Sequence, residues 1–257
     1  GIIEGNLGAQ NVNVNLDAPY TLDGTNDMFH VDHHADFDAT NLGAKFTLSA
    51  WFKIDSTISG EWHFILAKND DSGSDNKRPY ALVYNSQNEY LRFYIGDGTG
   101  NSKISSANNT VTEDTWHHVA ITYNDSNDDL IMYLDGQVFK SNLSFTRQVS
   151  TNSTGDHSFS IGGLRANSSG SGSNFFKGNI CDVRVYSDDL DGDTEISVLS
   201  SKINPDIALG AGTTNLVAHW PLLNGSPNDA EHATKGDSST DHDLTAVGSP
   251  AQDYDAF

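Results

Sequence analysis

The sequence predicts an all-β chain folded as an antiparallel two-sheet sandwich. Three observations carry that reading. Polar and apolar residues alternate with period two in nine runs along the 257 residues, as in Phe46-Thr47-Leu48-Ser49-Ala50-Trp51-Phe52-Lys53-Ile54, the pattern of strands with one buried face. Turn residues interrupt these runs roughly every 8–12 positions, the spacing of a β-sandwich. Asp outnumbers Glu by 29 to 6, and Asp favours turns whereas Glu favours helices. Aromatic residues make up 10% of the chain, so a packed core is expected rather than disorder.

Taken in order, the predicted strands are Asn11–Leu16, Phe46–Ile54, Trp62–Leu66, Tyr80–Tyr84, Tyr90–Ile95, Trp116–Tyr123, Leu130–Leu134, Phe159–Ile161 and Ile180–Tyr186. Turn signals between them are Asp97-Gly98, Asn124-Asp125-Ser126-Asn127, Asp135-Gly136 and Gly170-Ser171-Gly172-Ser173. The clearest hairpin is Ile131–Phe139, because Asp135-Gly136 supplies the positive φ angles of a two-residue turn. One short helix is expected, with Asp193 capping Thr194–Leu199 and its apolar residues facing the sandwich.

The net charge of −21 excludes partners that need a basic surface, because nucleic-acid binding rests on Lys and Arg neutralising phosphates. Anionic membrane surfaces are disfavoured for the same reason, and no apolar run is long enough to span a bilayer. The single cysteine, Cys181, forbids an intrachain disulfide; within a strand it reads as a small buried hydrophobe.

Four segments resemble the laminin-G-like branch of the concanavalin A-like lectin/glucanase superfamily. They are Leu22-Asp23-Gly24-Thr25-Asn26-Asp27, Phe46–Lys53, Trp116–Tyr123 running into Leu130–Gly136, and Ile161-Gly162-Gly163 followed by Phe176–Tyr186. The resemblance implies a jelly-roll sandwich of about a dozen strands, a fold that serves enzymes, lectins and adhesion modules alike. It covers residues 19–203. Residues 1–18 then form an N-terminal extended segment, a candidate donor strand, and residues 204–257 form a C-terminal segment.

That C-terminal segment holds a displaced match. Asn215–Leu222 looks like the family's opening strand, and Asp241–Pro250 looks like the segment that leads into the Leu-Asp-Gly-Thr-Asn-Asp motif. In a permuted sandwich, the tail completes its own sheets. In a strand-exchanged one, the tail or the N-terminal strand completes a neighbour's sheet, and head-to-tail repetition builds fibres. Candidate assembly residues are Ile2, Ile3, Val12, Val14 and Leu16. A second, truncated domain started by the tail ranks last, because about 50 residues without disulfide or metal bury too little surface.

Glucanases of this superfamily often carry Glu-x-Asp-x-x-Glu, a carboxylate pair for retaining hydrolysis. None of the six Glu here has Asp two residues later, which argues against that route. For a metal, calcium is favoured, since hard oxygen ligands abound and laminin-G-like domains often hold calcium at the sandwich rim. The resemblance points to the loop before Tyr80, with Asp71 and Asp75 as ligands and Asn174 facing them; Asp23 with Asp27 is a second candidate pair. A transition metal could instead use His30, His33 and His34 with Asp32 or Asp36, against the blander reading of a solvated loop. His117 and His118 read as packed or hydrogen-bonded.

Sugar recognition needs aromatic rings in a groove; Trp62, Tyr94 and Phe175 are the candidates, with core packing the competing role for Trp62. Glycosylation sequons occur at Asn108, Asn124, Asn142, Asn152, Asn167 and Asn224. The chain has 24 Asn and 47 Ser or Thr, so chance alone gives roughly four. The expected function is a non-enzymatic extracellular or cell-surface module for adhesion, or the repeating subunit of a self-assembled filament. The alternative is a monomeric, calcium-dependent carbohydrate-binding module with a carbohydrate or glycoprotein partner.

Overall fold

The computed structural model describes residues 18–68, 79–96, 101–142, 157–165, 172–190, 193–201, 215–223 and 242–253. Its strands are β1 (Tyr20–Asp23), β2 (Met28–Val31), β3 (Lys45–Ile54), β4 (Trp62–Lys68), β5 (Tyr80–Asn85), β6 (Tyr90–Gly96), β7 (Asn101–Ser105) and β8 (Trp116–Asn124). They continue with β9 (Asp129–Leu134), β10 (Gln137–Asn142), β11 (Phe159–Ile161), β12 (Lys177–Tyr186), β13 (Leu216–Trp220), β14 (Thr245–Val247) and β15 (Ala251–Gln252). Helices α1 (Ala39–Leu42) and α2 (Asp193–Leu199) are short.

Two antiparallel sheets face each other. One runs β10-β9-β8-β3-β12-β1-β15, with β13 also on β12; the other runs β14-β2-β11-β4-β5-β6-β7. The alternating residues predicted to be apolar-in are the ones that meet between them. Phe46, Leu48, Ala50, Phe52 and Ile54 of β3 pack with Tyr80, Leu82 and Tyr84 of β5 and Leu91, Phe93 and Ile95 of β6 in one buried cluster. Cys181 lies in the same cluster.

The β9–β10 hairpin turns on two residues, with Asp135 at φ 50 and Gly136 at φ 78, and Leu134 pairs with Gln137. Positive φ at both positions matches the right-handed twist of the flanking strands. Gly178, at φ +130, is required by proximity as well: a Cβ there would lie 2.0 Å from the Lys53 carbonyl oxygen of the neighbouring β3.

The outer face of the larger sheet is covered, where period-two alternation predicted water. Ile196 and Leu199 of α2 pack on Ala120, Tyr133 and Tyr186, and the Trp51 indole N–H donates to the Leu199 carbonyl at 3.1 Å. Polar residues that alternation would leave solvated are therefore buried, among them Thr47, Ser49, Asp182 and Arg184. Three of them are satisfied internally: Thr47 Oγ1 donates to the Asp188 carbonyl at 2.8 Å, the Arg184 guanidinium donates to Asp182 Oδ1 at 2.7 Å, and His219 Nε2 meets the same oxygen at 2.7 Å, whereas Ser49 Oγ has no hydrogen-bond partner among the described residues.

The C-terminal strands pair within the same chain. β13 lies along the second half of β12, with Val183 opposite Trp220, while β1 takes the first half, with Ile180 opposite Tyr20. The two short strands thus share one edge of β12, and a Pro19–Leu223 bridge joins them. β14 pairs with β2, and β15 with β1. The Trp220 ring stacks on Phe159 at 5.2 Å and approaches Phe37 at 5.6 Å. The predicted strand Asn11–Leu16 and the assembly residues Ile2, Ile3, Val12, Val14 and Leu16 lie outside the described residues.

Candidate functional site

Two faces of β4 and β6 diverge in role. Inward residues join the core, whereas Trp62, Phe64 and Ala67 of β4 stand on the outer face with Tyr94 of β6. A bulge between Phe64 and Leu66 sets this phase; the extra residue keeps both Ile65 and Leu66 in the core. Arg92 lies on the same outer face, and its guanidinium carbon is 4.8 Å from the Trp62 ring centroid, 5.1 Å from Tyr90 and 5.7 Å from Tyr94. Its orientation is fixed by donation to Ser105 Oγ at 2.8 Å and to the Tyr94 hydroxyl at 3.0 Å. A cation held over ring faces in this way gains from the ring quadrupole.

At the start of β4 Trp62 borders a cleft of ≈ 350 Å³ that Glu61, His63, Asn174 and Phe175 also line. The walls are held by backbone contacts. Phe64 N–H donates to the Asn174 carbonyl at 3.1 Å, and the Asn174 amide donates to the Trp62 carbonyl at 3.2 Å. His63 Nδ1 contacts the Phe175 carbonyl at 2.8 Å. A carbonyl only accepts, so Nδ1 carries the proton and Nε2 is left as an acceptor. That Nε2 is buried and has no hydrogen-bond partner among the described residues. The site thus combines an aromatic ring, a carboxylate, an amide and an unsatisfied imidazole acceptor, a set suited to a hydroxyl-rich ligand.

Of the residues predicted for sugar contact, Trp62 and Phe175 line this cleft, whereas Tyr94 lies with Arg92 on the outer sheet face. Trp62 is half-buried rather than core. Sequence reasoning missed Arg92, Glu61 and His63; alternation of Tyr90, Arg92 and Tyr94 on one strand face was the signal available for the first.

Among the predicted calcium ligands, Asp71 and Asp75 lie outside the described residues. Asn174 sits at the cleft. Asp23 and Asp27 hold the chain itself: Asp23 Oδ1 accepts the N–H groups of Thr25, Asn26 and Asp27 at 2.7, 3.0 and 3.2 Å. Asp27 Oδ1 accepts Ser249 N–H at 2.7 Å, and Oδ2 accepts Asp23 N–H at 3.3 Å. Burial raises the Asp23 carboxyl, but the donors from Asn26, Thr25 and Asp27 outweigh it and hold the group below its usual value. This turn, with its grip on the tail, is an Asx-type scaffold.

The histidines of the 30–34 segment separate. His30 Nδ1 is 3.1 Å from Asp32, and its Nε2 contacts Arg165. His33 Nδ1 is 3.4 Å from the buried Lys68 ammonium, and only His34 approaches Asp36 and the tail. On β8, His117 bonds Asp135 and Thr112, while His118 packs on Trp51.

Among the sequons, Asn108 is exposed in a turn and Asn142 is half-buried at the end of β10. Asn152, Asn167 and Asn224 lie outside the described residues. Asn124 is a correction: it is buried, its amide donates to Asp189, and its oxygen accepts Ser126 N–H. A buried amide nitrogen already committed to a carboxylate has no room for a glycan.

Comparisons with known proteins bear on the fold. The chain matches a putative carbohydrate-binding protein from Bacteroides ovatus at TM-score 0.63 and 14% identity, covering 93% of this chain and 60% of that one. It matches a heptameric SAP-like pentraxin from Limulus polyphemus at TM-score 0.53 and 14% identity, covering 74% and 84%. It also matches the CBM40 of a Ruminococcus gnavus IT-sialidase, bound to α2,3-sialyllactose, at TM-score 0.52 and 16% identity, covering 69% and 95%. No curated protein matches the chain. The Laminin_G_3 family matches residues 23–196, the segment that holds the Asp23 turn, both sheets' central strands and the Trp62 cleft. The chain therefore belongs to the concanavalin A-like lectin/glucanases superfamily.

Proposed function

We propose that this protein is a carbohydrate-binding module whose site is the Trp62 cleft. One observation carries the reading: Trp62, Phe175, Glu61 and Asn174 line one cleft together with His63, whose buried Nε2 has no hydrogen-bond partner among the described residues. A sugar presents an apolar face to the ring and hydroxyls that donate to the imidazole and to Glu61, and the Asn174 side chain adds a further polar group. Satisfying a buried acceptor strengthens binding, because that group loses nothing further on desolvation. The described structural neighbours include a protein named for carbohydrate binding and a module with a bound sialyllactose, which supports the same reading. A non-catalytic role at the cell exterior fits it, and the strong negative charge favours neutral or glycoprotein-borne sugars reached by hydrogen bonding.

The filament reading rests on residues 1–17, which lie outside the described residues, while the tail strands are engaged within the chain. The lectin reading therefore takes precedence. The test is a glycan array followed by calorimetry on any hit, with calcium and with chelator. Trp62→Ala should weaken binding by at least about tenfold, the loss of roughly 1.5 kcal/mol of ring contact, with unchanged circular dichroism. An array without hits, or a hit indifferent to Trp62→Ala, overturns the assignment.

A further inference from the structure

At the opposite end of β4 from the cleft, three metal-ligating side chains converge from segments far apart in sequence. They are His34 and Asp36, which flank Ala35 after β2, and His242, just before β14. We propose that His34 Nδ1, Asp36 Oδ2 and His242 Nε2 form a site for a divalent transition metal ion of the zinc class, which staples the C-terminal segment to the body of the sandwich.

Geometry is the first argument. The three ligand atoms are separated by 3.1 Å (His242 Nε2 to His34 Nδ1), 3.1 Å (His242 Nε2 to Asp36 Oδ2) and 3.6 Å (His34 Nδ1 to Asp36 Oδ2). Zinc binds imidazole nitrogen and carboxylate oxygen at about 2.0–2.2 Å, so the edge between two ligands of a tetrahedron is about 3.3–3.6 Å. The triangle therefore needs to open by only a few tenths of an ångström to accept the ion. Tautomer is the second argument. His34 Nδ1 accepts the backbone N–H of Asp36 at 3.2 Å, so that nitrogen is the unprotonated one, and an ion takes over the lone pair that this hydrogen bond holds. His242 Nε2 then faces His34 and Asp36, and it binds the ion as the neutral tautomer, with the ring proton relocated through water from Nε2 to Nδ1.

Preorganisation is the third. The His242 carbonyl accepts the Trp220 indole N–H at 2.8 Å, and its ring lies 4.8 Å from that of the fully buried Phe37, which also meets His34 at 6.1 Å. Both imidazoles are thus set by the aromatic core before any ion arrives. The exposed side of the triangle, at Asp36, leaves the fourth position to water. Two imidazoles and one carboxylate select zinc, cobalt or nickel over calcium or magnesium, which prefer all-oxygen shells. The site is separate in chemistry from the calcium candidates and shares no residue with them.

The consequence is structural. His34 and His242 are 208 positions apart, so an ion bridging them ties the segment that carries β14 and β15 to the loop after β2. Anything that binds only the folded arrangement stabilises it.

Zinc ion binding is measured on the full chain by competition with a chromogenic chelator, together with cobalt substitution and hydrogen exchange. The expected result is one zinc ion per chain, unaffected by excess calcium, with a four-coordinate cobalt absorption in the visible. Loss of an outer partner alone costs about 10–100-fold at metal sites, so loss of a ligand should cost at least about tenfold. Asp36→Asn, at an exposed position, and His242→Gln should each do so, whereas His33→Gln should not. Zinc should slow exchange at residues 244–247 in the wild type and leave the Asp36→Asn variant unchanged. Absence of stoichiometric binding, or equal affinity in wild type and Asp36→Asn, overturns the proposal.

Discussion

Replacing Trp220 by alanine tests whether the C-terminal segment is part of this chain's own core. Trp220 is fully buried, stacks on Phe159 at 5.2 Å and 26°, and meets Phe37 at 5.6 Å. Its indole N–H donates to the His242 carbonyl at 2.8 Å. Truncation of a buried large aromatic costs about 3–5 kcal/mol, the lost transfer energy plus the cavity left behind. Two aromatic pairs and the first anchor of the next tail segment go with it, so the upper half of that range is expected. For a chain of this size, each kcal/mol lowers Tm by about 2–4 °C, giving a fall of roughly 8–20 °C. Urea titration followed by near-ultraviolet circular dichroism should show a lower midpoint with an unchanged slope. Because β13 pairs within the chain, the midpoint should not move with protein concentration. A loss below about 1 kcal/mol would refute the packing argument. A concentration-dependent midpoint would refute completion of the sandwich in cis.

Burial holds the His118 imidazole down at about 4, against the opposing pull of Asp182 and Asp135. The unfolded chain takes that proton near 6.5, so it binds more protons than the folded one between these values. This contribution, up to about 3 kcal/mol, is complete above pH 6.5 and is lost as pH falls toward 4. A His118→Leu variant should show a flatter pH dependence of the urea midpoint in that window; identical slopes would contradict the assignment. Gly178→Ala forces a Cβ to within 2.0 Å of the Lys53 carbonyl at a positive φ. It should cost more than about 2 kcal/mol by calorimetric melting, and a Tm within a degree or so of wild type would show that β12 and β3 can separate there.

Sheet membership was legible because it depends on local periodicity. The alternation in Phe46–Ile54 and Tyr90–Ile95 names the core face directly, and Asp135-Gly136 names its hairpin, since the turn needs only the backbone freedom of two adjacent residues. The match of Asn215–Leu222 to an opening strand also marked the segment that becomes β13. Local pattern placed the apolar residues of α2 against the sandwich, but not which polar strand residues are buried. Thr47, Ser49, Asp182 and Arg184 alternate with core residues, yet all are buried, Thr47 bonding Asp188 and Leu190 and Asp182 meeting both Arg184 and His219.

The sites divide along the same line. Trp62 and Phe175 were visible as strand and loop aromatics, but their meeting at one cleft depends on contacts such as Phe64 N–H to the Asn174 carbonyl, across about a hundred residues of chain. His34 and Asp36 stood out as neighbours in sequence; His242 did not, because nothing local marks a residue whose partner is brought to it by a tail strand. Composition and periodicity thus determined the fold class, the apolar faces and the tight turns, all of which follow from short-range sterics and hydrophobic burial. Tertiary structure alone decided which polar groups are buried and which side chains converge, because those depend on long-range pairing that no window of sequence contains.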